Sequence, residues 1–320
     1  MKREVYAYMR GGRSLALGAI LCTLTAAQPT AANVYALGNG ADGVVGHAFY
    51  VKARYEDTLL DIGRHNGVGY DDMKYANPKL DMWLPGAGKE VLVPDEFVLP
   101  DAPRDGVVIN LAEKRLYYYP PDSGEVYTYA IGVGREGWGT PLGTFRIVRK
   151  DKDPAWYPPA SVRAEHAADG GDLLPAVVPA GPDNPLGAYA LRLSAKGYLI
   201  HGTNKPWGVG MRVSHGCIRL YPEGIEQLFG QVGLKTPVTI VDQPFKVGWR
   251  GDDLYLEVHA TKEDESKPLS EVIPPAVANA QGVKVDWNAV RRAVAENTGL
   301  PHWVGGRRQA RDPLYLRMIF

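Results

Sequence analysis

The residues best suited to chemistry stand close together in the chain: His201, then His215 and Cys217 in the sequence Ser-His-Gly-Cys. An imidazole beside a thiol makes an activated nucleophile, because the base takes the thiol proton and the sulfur then attacks a carbonyl carbon. Apolar residues at 198–200, and at 218 and 220, predict two short strands on either side of a loop with turn-forming residues. If these strands lie near each other in one sheet, His201 reaches Cys217.

Two other interpretations of these residues stay open on residue type alone. A single cysteine often packs as a small apolar residue, and a single histidine often fills a structural role. His201, His215 and Cys217 could also bind a zinc ion, since an open catalytic site needs three protein ligands. No fourth candidate ligand stands nearby at the usual spacing. The interpretation that we favour includes no metal and no cofactor.

The start of the chain has the pattern of an export signal, which we place at residues 1–32. Four basic residues within the first 13 precede an apolar run at 15–24 that is too short to span a bilayer, and small residues follow. An uncleaved membrane anchor is the alternative. Cleavage would remove Cys22 and leave Cys217 as a single thiol in an oxidising compartment, where an exposed thiol without a purpose is a liability.

Length and composition restrict the class of protein. A chain of 320 residues predicts two or three compact units. The 36 acidic and 36 basic residues cancel, so the charge does not favour binding to nucleic acid. Many short apolar runs between turns with glycine or proline indicate a mainly β chain with a β-sandwich or β-barrel as its principal domain.

The stretch that carries the histidines and the cysteine resembles a known family signature. His-Gly-Thr at 201–203 is followed by Ser-His-Gly-Cys-Ile-Arg at 214–219, and Thr-Pro-x-Gly-x-Phe stands at 140–145. These motifs are similar to those of the L,D-transpeptidases of the YkuD type, over residues 104–242. The resemblance implies a β-rich catalytic domain that acts on peptidoglycan stem peptides through an acyl-enzyme on a cysteine.

The same resemblance assigns roles to the matched residues. It implies that Cys217 is the nucleophile, that His201 moves its proton, and that the Gly202 carbonyl orients the imidazole. The backbone amides around His215, Gly216 and Cys217 are the expected donors to the oxyanion. The candidate substrate-binding residues are Arg219, Trp156 and Thr203.

Two further segments resemble parts of one subgroup of that family. Residues 48–94 predict a strand, two helices and a strand, and are similar to a LysM module, a type of module that binds glycans containing N-acetylglucosamine. The proline-rich residues 150–187 predict a long loop, which we interpret as a lid over the thiol. Together they resemble the enzymes that attach murein lipoprotein to peptidoglycan in the periplasm of Gram-negative bacteria, although that subgroup often has serine where His215 stands.

The acyl acceptor and the class of function have alternatives. The acceptor that we favour is the C-terminal lysine of the outer-membrane murein lipoprotein. A second stem peptide would instead give 3→3 crosslinks, and water would make the same site a carboxypeptidase or amidase. A peptidoglycan-binding scaffold without catalysis is the alternative outside the enzymes.

The remaining segments are a predicted linker at 99–103 and a small α+β appendage at 243–320, to which the sequence assigns no role. Within the appendage, residues 245–258 predict a β-hairpin. A helix is predicted over 286–297 and closed by Gly299. Its apolar face would present four residues: Trp287, Val290, Ala293 and Val294.

Overall fold

The computed structural model of the protein describes residues 31–38, 42–135, 137–168, 170 and 174–307. The predicted signal peptide lies outside these residues except for its last two positions, and Cys22 lies outside them as well. Among the helices that are described, none combines the length and the apolar composition needed to cross a membrane.

The secondary structure is dominated by short strands, with helices in the module, the lid segment, the catalytic domain and the appendage. The strands are β1 (Asn33–Ala36), β2 (Val44–Gly46), β3 (Phe49–Lys52), β4 (Glu90–Val93), β5 (Glu96–Val98), β6 (Gly106–Asn110), β7 (Arg115–Tyr119), β8 (Glu125–Gly134), β9 (Gly143–Lys152), β10 (Tyr189–Leu193), β11 (Leu199–His201), β12 (Arg212–Ser214), β13 (Ile218–Leu220), β14 (Pro237–Val241), β15 (Phe245–Arg250), β16 (Asp253–Val258), β17 (Lys284–Val285) and β18 (His302–Gly306). The helices are α1 (Leu59–His65), α2 (Tyr70–Ala76), α3 (Ala160–Ala168), α4 (Pro222–Gln231), α5 (Leu269–Val272), α6 (Pro275–Ala278) and α7 (Trp287–Glu296).

Residues 48–94 form the predicted strand, two helices and strand. β3 pairs with β4 in antiparallel orientation. Thr58 begins α1 because its side chain accepts a hydrogen bond from the Asp61 amide, while the Asp61 carboxylate accepts one from the Thr58 amide. Asn77 ends α2, and its side chain exchanges hydrogen bonds with the Leu92 backbone. This local structure is as predicted, while its identity as a LysM module stays a prediction.

The turn between α1 and α2 attaches this module to the catalytic domain. Gly69 lies so close to Gly210 that a Cβ atom on either would meet the backbone of the other. Beside this contact, the Arg64 guanidinium forms two hydrogen bonds with the Glu223 carboxylate, at 2.8 and 2.9 Å. The module therefore packs against the loop that joins His201 to Cys217.

Ten strands of the described chain form one sheet that closes on itself. Its order is β1-β8-β13-β11-β10-β9-β14-β6-β7, with β7 paired again to β8 and β12 paired to β8 as well. The result is a barrel-like domain, one of the two architectures that the pattern of short strands predicted. Its interior is filled by aliphatic side chains, among them Ile131, Ile147, Leu191, Ile200 and Leu220. Each buried aliphatic side chain stabilises the fold by about 1.5–3 kcal/mol. The barrel is therefore a stable scaffold for the site.

The segment 150–187 contains more structure than the predicted long loop. Helix α3 occupies nine of its residues, directly after Pro159, and proline is favoured at helix starts because its missing amide would stay unpaired there. Trp156 and Val178 also exchange two backbone hydrogen bonds, each of 2.8 Å. The described part of the segment therefore contains regular structure, and the prediction of an irregular loop is wrong over α3.

The appendage has a four-stranded sheet, β15-β16-β18-β17, covered by α7. The predicted hairpin is β15 and β16, and Val290 and Ala293 of α7 are buried as expected. Two details differ from the prediction. Trp287 is 37% exposed, and α7 ends at Asn297, which adopts the left-handed conformation before Gly299 is reached. Asparagine can end a helix in this way because its short polar side chain tolerates that conformation.

The predicted linker at 99–103 packs against its surroundings. Leu99 is buried and its amide donates to the Gly43 carbonyl at 2.7 Å. The Asp101 backbone and the Gln243 side chain exchange hydrogen bonds of 2.9 and 2.8 Å. The linker is thus fixed to the first residue of the appendage, and the domain limits themselves stay predictions.

Candidate active site

β11 and β13 bring the predicted base and nucleophile together. β11 ends at His201, and β13 begins directly after Cys217. The two strands pair in parallel, with Ile200 opposite Ile218 and His201 opposite Arg219. His201 and Cys217 line the same cavity, which has a volume of about 240 Å³. The expectation that two strands of one sheet carry them is confirmed.

His201 is buried, with 3% of its surface exposed. Its Nδ1 lies 2.6 Å from the Gly202 carbonyl oxygen, which can only accept, so we assign the proton to Nδ1 and the basic lone pair to Nε2. Gly202 therefore orients the ring as the resemblance implied. Burial lowers the pKa of His201, the positive charge of Arg219 adds to this, and the resulting pKa is about 3. The imidazole is neutral at neutral pH.

Cys217 is half-buried, and its Sγ lies 3.8 Å from the Gly197 carbonyl oxygen. Burial raises the pKa of the thiol, although a backbone hydrogen bond from Leu199 and the charge of Arg219 act in the opposite direction. A histidine with a lowered pKa and a cysteine with a raised pKa favour the neutral pair over the ion pair. The thiol proton would then move to the imidazole as the sulfur attacks, rather than beforehand.

The loop before the nucleophile is held by hydrogen bonds of its own. Gly216 has a φ of +94°, a conformation that a residue with a Cβ atom rarely adopts. Its amide donates to Ser214 Oγ at 3.2 Å, and that hydroxyl donates to the Cys217 carbonyl at 2.6 Å. Thr140 Oγ1 donates to the Gly216 carbonyl at 2.8 Å. Since the Gly216 amide is committed within the loop, the oxyanion prediction rests on the amides of His215 and Cys217.

His215 is held by three side chains that sequence reasoning missed. Its Nε2 lies 2.7 Å from Glu165 Oε2 and 3.1 Å from Arg135 Nη2. Trp138 packs edge-on to its ring, with 4.7 Å between the ring centroids. Arg135 and Glu165 also form an ion pair with each other. No signal in the sequence connects these residues, because Glu165 and Arg135 are 50 and 80 positions from His215.

The lid segment forms much of the wall of this cavity. The described lining residues are Trp138, Ala155, Trp156, Tyr157, Pro159, Val162, Pro185, Leu186, Arg192, Gly197, Leu199, His201, Ser214, His215, Cys217 and Arg219. Trp156 thus lies where the prediction of a substrate-binding residue requires it. Seven residues of the segment 150–187 line the cavity that contains Cys217. The interpretation of the segment as a lid stays a prediction.

Arg219 and Thr203, both predicted to bind substrate, have different surroundings. Arg219 lines the cavity, and its Nε is buried without a hydrogen-bond partner among the described residues. Such an unpaired donor in a cavity wall suits a ligand carboxylate. Thr203 is buried and lies outside the cavity lining, and its Oγ1 accepts a hydrogen bond from the Lys205 amide at 2.9 Å. Its role is to shape the loop, and a direct contact with substrate is not supported.

The zinc alternative finds no support in the geometry. Within the described part of the chain, the ligand atoms of His201, His215 and Cys217 do not gather at metal-binding distance. The described residues whose ligand atoms do gather form one group: Glu113, Glu257 and His259. There the Lys246 ammonium, 2.8 Å from Glu257 Oε1 and also paired with Glu113, already supplies the positive charge.

Comparisons with known proteins agree with these motifs. A family model of the L,D-transpeptidase catalytic domain, YkuD, matches residues 104–240. The probable L,D-transpeptidase ErfK/SrfK of Escherichia coli K12 is 40% identical over 296 residues, which cover 88% of this chain and 95% of the relative. The probable L,D-transpeptidase YcfS of the same organism is 38% identical over 303 residues, which cover 91% of this chain and 94% of the relative.

A solved structure is also similar. The NMR structure of the catalytic domain from the E. faecium L,D-transpeptidase matches with 24% sequence identity and a TM-score of 0.33. The match covers 44% of this chain and 99% of that chain.

Proposed function

The chain belongs to the L,D-transpeptidase family of peptidoglycan enzymes, and we propose that it works through an acyl-enzyme on Cys217 and transfers the acyl group to an amine. The observation that carries this proposal is that His201 and Cys217 line one cavity, in which the imidazole is neutral and its Nδ1 is held by the Gly202 carbonyl. The scaffold alternative does not account for that arrangement. A structural histidine and a structural cysteine would have no reason to share a cavity wall with an unpaired guanidinium nitrogen.

In the proposed first step, Cys217 Sγ attacks the carbonyl carbon of the third residue of a stem tetrapeptide. The thiol proton passes to His201 Nε2 as the C–S bond forms. The amides of His215 and Cys217 stabilise the oxyanion of the tetrahedral intermediate. His201 then gives the proton to the departing amine of the terminal D-Ala, whose C–N bond breaks and leaves a thioester on Cys217.

Arg219 is the proposed anchor for the carboxylate of the substrate. Its Nε is buried and unpaired in the cavity wall, so a bound carboxylate would remove the cost of a donor without a partner. Trp156 of the lid segment lines the same cavity and would pack against the apolar part of the stem peptide.

The acceptor that we propose is the C-terminal lysine of the murein lipoprotein. The support is the combination of the module at 48–94 with a folded lid over the thiol, under which a slim lysine side chain would pass more easily than a second glycan-borne stem. A stem peptide as acceptor would give 3→3 crosslinks, and water would give hydrolysis. We also propose a periplasmic location, because residues 1–32 are a predicted signal peptide and the family acts on peptidoglycan.

A contact with the glycan strand is proposed for the module. Trp83 of the module and Trp207 of the catalytic domain are 58% and 57% exposed, and both line a cavity of about 320 Å³. Exposed aromatic faces around a cavity are typical of binding sites. A sugar ring presents an apolar face to such a side chain and hydroxyl groups to the polar residues beside it, here Thr58 and Asp61.

Intact-mass measurement tests the proposed chemistry directly. The enzyme is incubated with disaccharide-tetrapeptide, and a mass increase equal to the acyl group is expected on the wild type and absent from Cys217→Ala. A wild-type protein that releases D-Ala without any adduct on Cys217, even when rapidly quenched, would contradict the proposal.

Muropeptide analysis of a strain with this enzyme as its sole L,D-transpeptidase then identifies the acceptor. Lipoprotein-derived remnants on stem tripeptides support lysine, whereas 3→3 dimers alone would show that the acceptor is a second stem.

A further inference from the structure

A second cavity, of about 600 Å³, lies between the catalytic domain and the C-terminal appendage. Arg135 and Thr140 of the catalytic domain form part of its wall, and the appendage contributes residues 261–263. Its lining residues do not overlap with those of the cavity that contains Cys217. The volume is in the usual range of ligand pockets.

Two residues of its wall contact the loop that carries the nucleophile. Thr140 Oγ1 donates to the Gly216 carbonyl at 2.8 Å, and Arg135 Nη2 lies 3.1 Å from His215 Nε2. His215 and Gly216 are the two residues before Cys217. Covalent geometry therefore limits the distance from Thr140 Oγ1 to the Cys217 sulfur to about 10 Å. The wall of the second cavity therefore lies within about 10 Å of the sulfur, and its described lining includes no residue of the lid segment.

The wall offers both an apolar surface and charges of both signs. Leu111, Val133 and Leu142 supply the apolar part, and Leu142 is 58% exposed. The charged lining residues besides Arg135 are Arg212, Asp242, Lys262 and Glu263. In the described part of the chain, no ion pair engages these four side chains. Charged side chains without an ion-pair partner, next to apolar lining residues, favour a ligand that has one positive and one negative group on a hydrocarbon chain.

We propose that this cavity is the acceptor site, and that it takes a peptide end with an amine and a carboxylate joined by methylene groups. The proposal rests on the acyl-enzyme proposed above, because an acylated Cys217 fills its own cavity with the donor and leaves the amine to approach from another side. Asp242 and Glu263 attract the ammonium form of the amine, and Arg212 and Lys262 attract the carboxylate. The appendage thereby gains a role, since Lys262 and Glu263 belong to it.

Both candidate acceptors have this chemistry. A C-terminal lysine carries an amine and a carboxylate at the two ends of a methylene chain. In a stem tripeptide, the terminal diaminopimelate likewise carries its free amine and the carboxylate of the chain end on opposite sides of its methylene groups. After losing its extra proton to solvent, the amine attacks the thioester carbonyl carbon. The C–N bond forms as the C–S bond breaks, and the proton lost by the nitrogen passes through His201 to the Cys217 sulfur.

The test uses the full-length mature enzyme with two soluble acceptors, Nα-acetyl-lysine and Nα-acetyl-lysine amide, which differ in the carboxylate alone. The wild type is expected to use the acid at a lower apparent KM than the amide. Lys262→Gln and Arg212→Gln should each reduce that preference by about threefold to tenfold, as one solvent-accessible ion pair allows. Glu263→Gln and Asp242→Asn should raise the apparent KM for both acceptors.

The donor half-reaction separates this proposal from the proposed function. Formation of the thioester on Cys217 from a stem tetrapeptide should be unchanged in all four variants, and Lys284→Gln, an exposed lysine elsewhere on the appendage, should leave acceptor use unchanged. Equal use of acid and amide by the wild type overturns the proposal. So does an unaltered preference in Lys262→Gln, which replaces an exposed side chain and leaves the fold intact. A wild type that forms no thioester would contradict the proposed function instead.

A second pair of acceptors identifies the source of the amine. The kcat/KM of the wild type is compared for a peptide that ends in lysine and a stem tripeptide that ends in diaminopimelate, and the better substrate identifies the acceptor. Lys262→Gln should lower kcat/KM more for that substrate than for the other. If neither is affected by Lys262→Gln, the cavity is not the acceptor site.

Discussion

Glu165 of the lid helix holds His215, with 2.7 Å between Glu165 Oε2 and the ring Nε2. Arg135 contacts the same nitrogen at 3.1 Å. When Nε2 carries a proton it donates to Glu165, and when it does not it accepts from Arg135. The cover over the cavity is thus tied to the loop that presents the nucleophile, through one ring nitrogen.

The first prediction follows from this contact. Glu165→Ala should lower kcat/KM for a stem tetrapeptide by at least about tenfold. It removes the hydrogen bond of a charged group to His215, worth about 1.5 kcal/mol, and also the ion pair with Arg135. Glu165→Gln, which keeps an acceptor oxygen, should recover part of the loss. The measurement is the rate of D-Ala release as a function of tetrapeptide concentration.

Arg163→Gln is the matched control, since Arg163 lies on the same helix but outside the cavity lining. If Glu165 positions His215, Glu165→Ala should alter the pH profile of acylation, or should change kcat without a matching change in KM. If Glu165→Ala lowers the melting temperature and leaves both quantities at wild-type values per folded enzyme, the contact merely stabilises the fold.

The second prediction concerns the nucleophile and its base. Cys217→Ala should abolish turnover, and His201→Ala should lower it by about 10²- to 10⁴-fold, the usual contribution of a general base. His215→Ser should keep a measurable fraction, because His215 supports the loop and does not move the thiol proton. Rates of D-Ala release from the three purified variants test this order. A His201→Ala enzyme with wild-type rates would show that His201 does not take part in the mechanism. A carbapenem should also acylate Cys217, as the family implies.

The third prediction is the pH dependence of acylation. Neutral His201 is the form that accepts the proton, and with a pKa of about 3 it stays neutral as the pH falls from 7 to 5. The acylation rate should therefore vary little over this interval, whereas a histidine with an ordinary pKa of about 6.5 would lose activity there. At alkaline pH, the raised pKa of Cys217 should affect the rate of alkylation by iodoacetamide. This rate should continue to increase above the pH at which the rate for an ordinary thiol becomes constant. A tenfold fall in acylation between pH 6 and 5 would contradict the buried neutral imidazole.

The core of the site could be predicted from the sequence because its elements are local. Apolar residues next to His201 and Cys217 indicate strands by their pattern, and Thr58 indicates the start of α1 because an N-cap acts within four residues. The positive φ of Gly216 agrees with a glycine directly before the nucleophile. Such features depend on neighbours in the chain, which a sequence displays.

The features that were missed depend on distant parts of the chain. The contact of Glu165 with His215 and the packing of Gly69 on Gly210 are set by tertiary structure, for which one sequence has no local signal. Helix α3 was overlooked although Pro159 precedes a run of residues that form helices well, a start signal that outweighs the surrounding prolines. Thr203 shows a limit of another kind, because residue type does not distinguish a hydroxyl that binds substrate from one that, like Thr203, accepts a hydrogen bond within its own loop.

The fourth prediction tests the glycan contact of the module. Trp83→Ala in the full chain should weaken binding to purified sacculi by about twofold to tenfold, the range expected for one aromatic contact. Sedimentation with sacculi measures the bound fraction, and release of D-Ala from a free tetrapeptide should stay unchanged. Trp287→Ala, a tryptophan that is 37% exposed on the appendage, is the matched control. Equal binding of the two variants would leave the module as a spacer between other parts of the protein.

The fifth prediction concerns stability and the attachment of the appendage. Lys246 is 2% exposed and pairs with Glu113 of the β6–β7 turn and with Glu257 of β16. Burial raises the pKa of both carboxyls, while the Lys246 charge lowers it. Lys246→Met removes that charge and leaves two buried carboxyl groups without the lysine as their counter-charge, a change that costs about 3–5 kcal/mol. Each keeps a hydrogen bond, from the Tyr117 hydroxyl to Glu113 and from the Val98 amide to Glu257.

Urea denaturation should therefore show a clearly lower midpoint for Lys246→Met, whereas Lys89→Met, at an exposed site, should match the wild type. Adding Glu113→Gln and Glu257→Gln to Lys246→Met should restore much of the lost free energy of unfolding, because both side chains are then neutral without the lysine.

The loss of unfolding free energy in Lys246→Met should also depend on pH. The folded single variant prefers both carboxyls protonated, so its deficit is smallest below the ordinary glutamate pKa and grows as the pH rises through the raised values. A deficit that is the same at pH 4.5 and pH 8 would show that the lost packing of the lysine side chain, and not the uncompensated charge, is what destabilises the protein.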